Sequence, residues 1–165
     1  TWAMIDTKTA QTRILRFNSI AEAKAEVQRL LDADRSGRLI ANGNWTPGQI
    51  FGHCASWIDW GYTGYPPSMS NPPWFVKLFC RIMKRSMMTK PMGKGFRMPK
   101  VEAGTYGTEP MATQDGGSKL LGALAKLEAG APKFPSPAMG ALTQQEATMM
   151  HLRHCELHLG FLDLK

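Results

Sequence analysis

Three of the chain's four histidines fall in the stretch HLRHCELHLG at residues 151–160, and the fourth, His53, lies about a hundred residues earlier in TPGQIFGHCASWIDWG. In an α-helix, at about 100° per residue, His154 and His158 lie about 40° apart around the axis and one turn apart along it. Their Cβ atoms are then roughly 5–6 Å apart. Two imidazoles so placed can share one divalent ion, as they do on zinc-protease helices. His151 falls in the same angular sector but roughly 10 Å from His158 along the axis. One ion could therefore use His151 with His154, or His154 with His158, but hardly both outer residues. Leu157 and Phe161 flank the stripe and turn it inward. A lone histidine on an apolar face is ordinarily a satisfied core residue. Here all four histidines occupy inward stripes of two helices, where unpartnered imidazoles cost a few kcal/mol each. Coordination of a metal would satisfy them together, whereas the competing reading is a non-catalytic helical bundle with structural buried histidines and a basic partner-binding surface.

The elements that must position these side chains are helices. Ser19 with Glu22 has capping-box spacing, and Ala23, Val27, Leu30 and Leu31 follow on one face, which predicts a first helix over roughly 19–33. Residues 1–17 read as an extended arm whose one strand-like piece is TRILRF. Thr46, Pro47 and Gln49 start a second helix with a cap, a proline at the first helical position and a second capping box. Asn44-Trp45-Thr46 also matches a glycosylation sequon, but capping accounts for Thr46 better. Ile50, His53, Cys54, Trp57 and Gly61 share a stripe of this helix, so His53 points toward apolar partners.

Pro73 opens a third segment in which Phe75, Leu78, Phe79, Ile82 and Met83 line one face and Lys77, Arg81, Lys84 and Arg85 another. Residues 89–115 read as a long loop, 117–129 as a helix, and Thr143 with Glu146 caps a last helix reaching about Asp163. With no convincing sheet, the expected fold is all-α: a four-helix bundle carrying an extra amphipathic helix and a long loop between its second and third helices.

At 165 residues with 43% apolar and 20% charged residues, the chain is expected to be one globular domain. No signal peptide and no run of membrane-spanning length is visible, which leaves a cytoplasmic or an exported protein open. Cys54, Cys80 and Cys155 are too few and too scattered for a disulfide framework or a thiolate zinc site, and Cys54 and Cys155 read as small buried residues. The net charge of +7 is local: between Asp59 and Glu102 there are eight bases and no acid, and subtracting that +8 leaves −1 for the rest. The bases are Lys77, Arg81, Lys84, Arg85, Lys90, Lys94, Arg97 and Lys100. The expected arrangement is an amphipathic helix packed over the bundle with its basic face in water. The other readings are a lid over a pocket for an acidic substrate, and a surface for nucleic acid or anionic membrane through Lys77, Arg81, Lys84 and Arg85.

GNWTPGQIFGHCASWIDWG resembles the second-helix motif of the DinB/YfiT-like superfamily, and RHCELHLGFL resembles its last-helix H-x-x-x-H motif. The order TRILRFNSIAEAKAEVQRLL, GNWTPGQIFGH, MGKGFRMP and GALTQQEATMMHLRHCELHLGFL is similar to one branch, the bacterial family called domain of unknown function 1569. The resemblance implies a four-helix bundle with a divalent metal held at one end by His53, His154 and His158; His151 has no counterpart in it and is read as a neighbour of the ligands or an alternative partner of His154. It also implies a homodimer. Many superfamily members continue the last histidine with Arg-Gly-Gln, where this chain has Leu159-Gly160-Phe161, so their thiol-dependent activities are not carried over.

Three neutral imidazoles leave an ion with its full charge and an open position. Such a site could serve hydrolysis or group transfer on an unidentified small molecule. Imidazoles suit zinc, nickel, copper and iron alike. Asp59 and Glu156 are the nearest carboxylates in sequence, but neither shares the histidine faces, and both read as solvated side chains.

Overall fold

Helix starts are written into the chain by side-chain caps, and the computed structural model, which describes residues 4–98 and 101–165, follows them. Helix α1 is Ile20–Arg35, with the Ser19 hydroxyl accepting from the Glu22 amide. Helix α2 is Pro47–Thr63, opened by a complete Thr46/Gln49 capping box. Then come α3, Trp74–Thr89, and α4, Thr113–Ala129. Helix α5, Gln144–Leu159, opens on a complete Thr143/Glu146 capping box. Each such cap satisfies amide donors that the first helical turn leaves without carbonyl partners.

Among the described residues the fold is all-α apart from one small two-stranded sheet. Strand β1, Leu39–Ala41, pairs antiparallel with β2, Leu162–Leu164, in the register Leu39 to Leu164 and Ala41 to Leu162. This corrects the expectation of no sheet. It also corrects the end of the last helix, which stops at Leu159 rather than near Asp163. There the chain turns through Gly160, whose carbonyl accepts from the Arg13 amide at 2.8 Å. TRILRF is not a strand but part of an irregular arm fastened to the bundle. Phe17 and Ala10 of this arm are buried. Arg13 donates to the Leu159 and Leu162 carbonyls and pairs with Glu26 at 2.8 Å.

The core is built from Val27 and Leu30 of α1, Ile50, Phe51 and Ile58 of α2, Leu120, Leu124 and Leu127 of α4, and Leu152 and Leu159 of α5, all nearly or fully buried. Helices α2 and α4 approach so closely that glycine is required between them. A Cβ on Gly116 would lie 2.6 Å from the Gly48 carbonyl oxygen, and one on Gly48 would lie 2.0 Å from the Met111 carbonyl oxygen. Helix α4 also begins four residues earlier than expected, at Thr113, because Gln114 is held by the Leu31 carbonyl and Asp34.

Helix α3 inverts its expected orientation. Its large apolar side chains face outward, with Trp74 75%, Phe79 59% and Ile82 71% exposed. Met88 is its buried residue, and Lys84 turns toward α5 to pair with Glu146 at 2.8 Å. The expected arm's first three residues and Lys100 lie outside the described residues. Among the described residues no helix is long and apolar enough to cross a membrane.

Candidate metal centre

The Thr46 capping box fixes where α2 begins, and therefore which of its residues face α5. His53 follows two turns into the helix and is 1% exposed. Across from it, His154 and His158 stand one turn apart on α5, both half-buried. Their ring nitrogens and those of His53 offer one ligand atom each, all within 4.8 Å of one another. The Nε2 atoms of His53 and His154 are 3.1 Å apart. An ion at about 2.0–2.1 Å from each nitrogen could bridge that separation. The donor set fits a divalent transition metal.

The proton on His53 is placed by the long loop after α3. His53 Nδ1 lies 2.9 Å from the Tyr106 carbonyl oxygen, which can only accept, so Nδ1 carries the hydrogen and the Nε2 lone pair faces the other imidazoles. The Trp57 indole N–H donates to the same carbonyl at 3.2 Å. Gly107 lets the backbone deliver it: its φ of +77° favours glycine, and a Cβ there would lie 3.1 Å from Ser56 and 3.2 Å from Trp60.

Two indoles wall the cluster. Trp45 stacks on His158 with ring centroids 5.4 Å apart and lies 5.0 Å from His53, while Trp57 stands edge-on to His154 at 5.7 Å. In this apolar enclosure burial holds the His53 pKa down to about 4, with the Tyr106 hydrogen bond pulling weakly the other way. His154 and His158 are held well below the ordinary value by burial and then by their neighbouring imidazoles. The imidazoles are therefore neutral at pH 7, the form in which histidine is a ligand.

His151 is buried too, with its pKa held down to about 4 by burial, but it stands outside the ligand group, so the pair that α5 presents to His53 is His154 with His158. Cys54 and Cys155, directly behind two of the histidines in sequence, are buried, as expected of small core residues. Their thiols meet, and that contact together with burial pushes the Cys54 thiol well up, away from the reactive thiolate.

Of the two carboxylates, Glu156 is not the solvated side chain the sequence suggested, whereas Asp59 is partly exposed in a surface ion pair. Asp59 pairs with Lys126 at 2.6 Å. Glu156 is 6% exposed, pairs with Arg153 at 2.6 Å and accepts from the Phe17 amide at 2.6 Å. Arg153 in turn donates to the Phe17 carbonyl, so this buried pair anchors the N-terminal arm to α5. Sequence reasoning passed over Tyr106 and Trp45. A backbone carbonyl has no sequence signature beyond the Gly104 and Gly107 that bracket it, and Trp45 was legible only as the residue before a helix cap.

Residues 9–165 match the family model described as "Protein of unknown function (DUF1569)". The chain belongs to this family. No curated protein and no solved structure matches it. The match covers α1 through β2, and with them every histidine of the cluster.

Proposed function

We propose that this DUF1569 protein binds a divalent transition metal, zinc, nickel or iron, through His53, His154 and His158, and that the site serves hydrolysis or group transfer on a small molecule. The observation that carries the reading is the convergence of His53 and His154 Nε2 at 3.1 Å while the other nitrogen of His53 is committed to the Tyr106 carbonyl. One tautomer is selected, and it aims a lone pair at the shared space. When bound, an ion held by three neutral imidazoles supplies Lewis acidity at an open position.

The chain's own residues prepare that position. Tyr106 orients His53 and raises its basicity through the Nδ1 hydrogen bond. Trp45 and Trp57 restrict water around the rings. Asp59 and Glu156 are engaged by Lys126 and Arg153, so this reading assigns neither carboxylate a role at the open position. We further propose membership of the DinB/YfiT-like superfamily, whose resemblance implies histidines on the second and last bundle helices, and their placement on α2 and α5 supports this reading.

The runner-up is a non-catalytic bundle in which the imidazoles are structural. The two separate on elemental analysis of the untagged protein beside His53→Ala. About one equivalent of metal, lost in the variant, is the expected result. No metal in either protein, even after incubation with zinc and nickel, would leave the histidines as a buried polar seam.

A further inference from the structure

We propose that the outward face of α3 docks on the surface of an anionic lipid bilayer. The helix presents Trp74, Phe75, Leu78, Phe79 and Ile82 to solvent, all at least half exposed. At about 100° per residue these five span a sector of about 140°, while Met88 and Lys84 face the bundle. An apolar stripe of this width on the outside of a helix is the reverse of what burial against a bundle produces, and it matches an interfacial helix.

The charge identifies the occupant. Arg81 and Arg85, both exposed, lie together along the Trp74 edge of the apolar sector, and no acid occurs between Asp59 and Glu102. Beside α3, a cleft of about 440 Å³ is lined by Lys77, Arg81, Tyr65, Ser70 and Ser136, which offer cations and hydroxyls to a phosphate. A second copy of the chain docked on this face would bring two basic rims together. A polynucleotide would leave Leu78 and Ile82, at the centre of the sector, without a matching surface. An anionic membrane satisfies both parts at once: phosphates at the arginines, and the acyl boundary for the apolar sector.

The test uses the full, untagged chain in co-sedimentation with phosphatidylcholine vesicles, with and without about 30 mol% phosphatidylglycerol. The expected result is binding to the phosphatidylglycerol vesicles alone, lost at about 0.5 M salt. The double variant Phe79→Glu/Ile82→Glu weakens binding at least about tenfold with its thermal unfolding unchanged, because both side chains are solvent-exposed. Arg81→Gln/Arg85→Gln weakens it while leaving the apolar sector intact. Absence of vesicle binding overturns the proposal, as does equal binding by wild type and the Glu variants. A wild-type dimer in sedimentation equilibrium that Phe79→Glu/Ile82→Glu dissociates, with no vesicle binding, assigns the face to self-association instead. Vesicle binding that a short oligonucleotide displaces while itself binding more tightly assigns the face to nucleic acid.

Discussion

Acidification of the metal-free protein provides a quantitative test of the buried imidazoles, and His151 is the one to isolate because it stands outside the ligand group. It is 4% exposed, and burial holds its pKa to about 4 from an ordinary 6.5. In the unfolded chain it takes up a proton as pH falls through about 6.5; in the native state it stays neutral until about 4. The unfolded state thus binds more protons across that window, so stability is complete above it and lost as pH falls. A tenfold change in a proton-binding equilibrium is worth about 1.4 kcal/mol, so His151 alone removes about 3 kcal/mol between pH 7 and pH 4. Leucine is near in volume and cannot titrate. Urea unfolding of chelator-treated wild type and His151→Leu, followed by circular dichroism from pH 8 to pH 4, should give stabilities within about 1.5 kcal/mol of each other at pH 8. They should then separate progressively, with the variant favoured by about 3 kcal/mol more at the acid end. Parallel curves would refute the reasoning, because His151 would then have the same pKa folded and unfolded.

Other perturbations address the scaffold. Glu156→Gln leaves Arg153 buried beside a neutral partner and should cost about 3–5 kcal/mol in urea unfolding, with the Phe17 segment of the arm becoming the earliest to exchange its amides. A loss below about 1 kcal/mol would mean the pair is solvated. Gly116→Ala, which sets a Cβ 2.6 Å from the Gly48 carbonyl oxygen, forces α2 and α4 apart. It should lower stability by about 1–3 kcal/mol and weaken zinc uptake as His53 shifts; unchanged thermal melting would count against the close contact.

Much of this was legible in the sequence because caps and periodicity are local. Ser19, Thr46 and Thr143 marked the starts of α1, α2 and α5, and the stripe through His53 and the i, i+4 pair at His154 and His158 followed from helical geometry. The errors share a different origin. The first turn of α4 contains Gly116 and Gly117, poor helix formers that are tolerated because α2 and α1 leave no room for a side chain there. The strands are three residues each, too short for a period-two pattern to register. Helix α3 has the amphipathic pattern expected, but periodicity fixes only that a helix has two faces and not which one the rest of the chain will cover. Glu156 looked like a surface acid because the arm that buries it lies 139 residues away.

The three histidines of the cluster differ in how they are brought together. His154 and His158 become neighbours as soon as one helical turn forms, whereas His53 joins them from 101 residues before His154, when α2 and α5 have docked. An ion shared by all three would be a cross-link available only to the finished topology, joining the first half of the chain to its last helix. If α2 and α5 dock after the folding transition state, such a cross-link slows unfolding more than it hastens folding. The metal would then act as a removable staple, and a chelator would shorten the native state's lifetime without altering the route by which the chain folds.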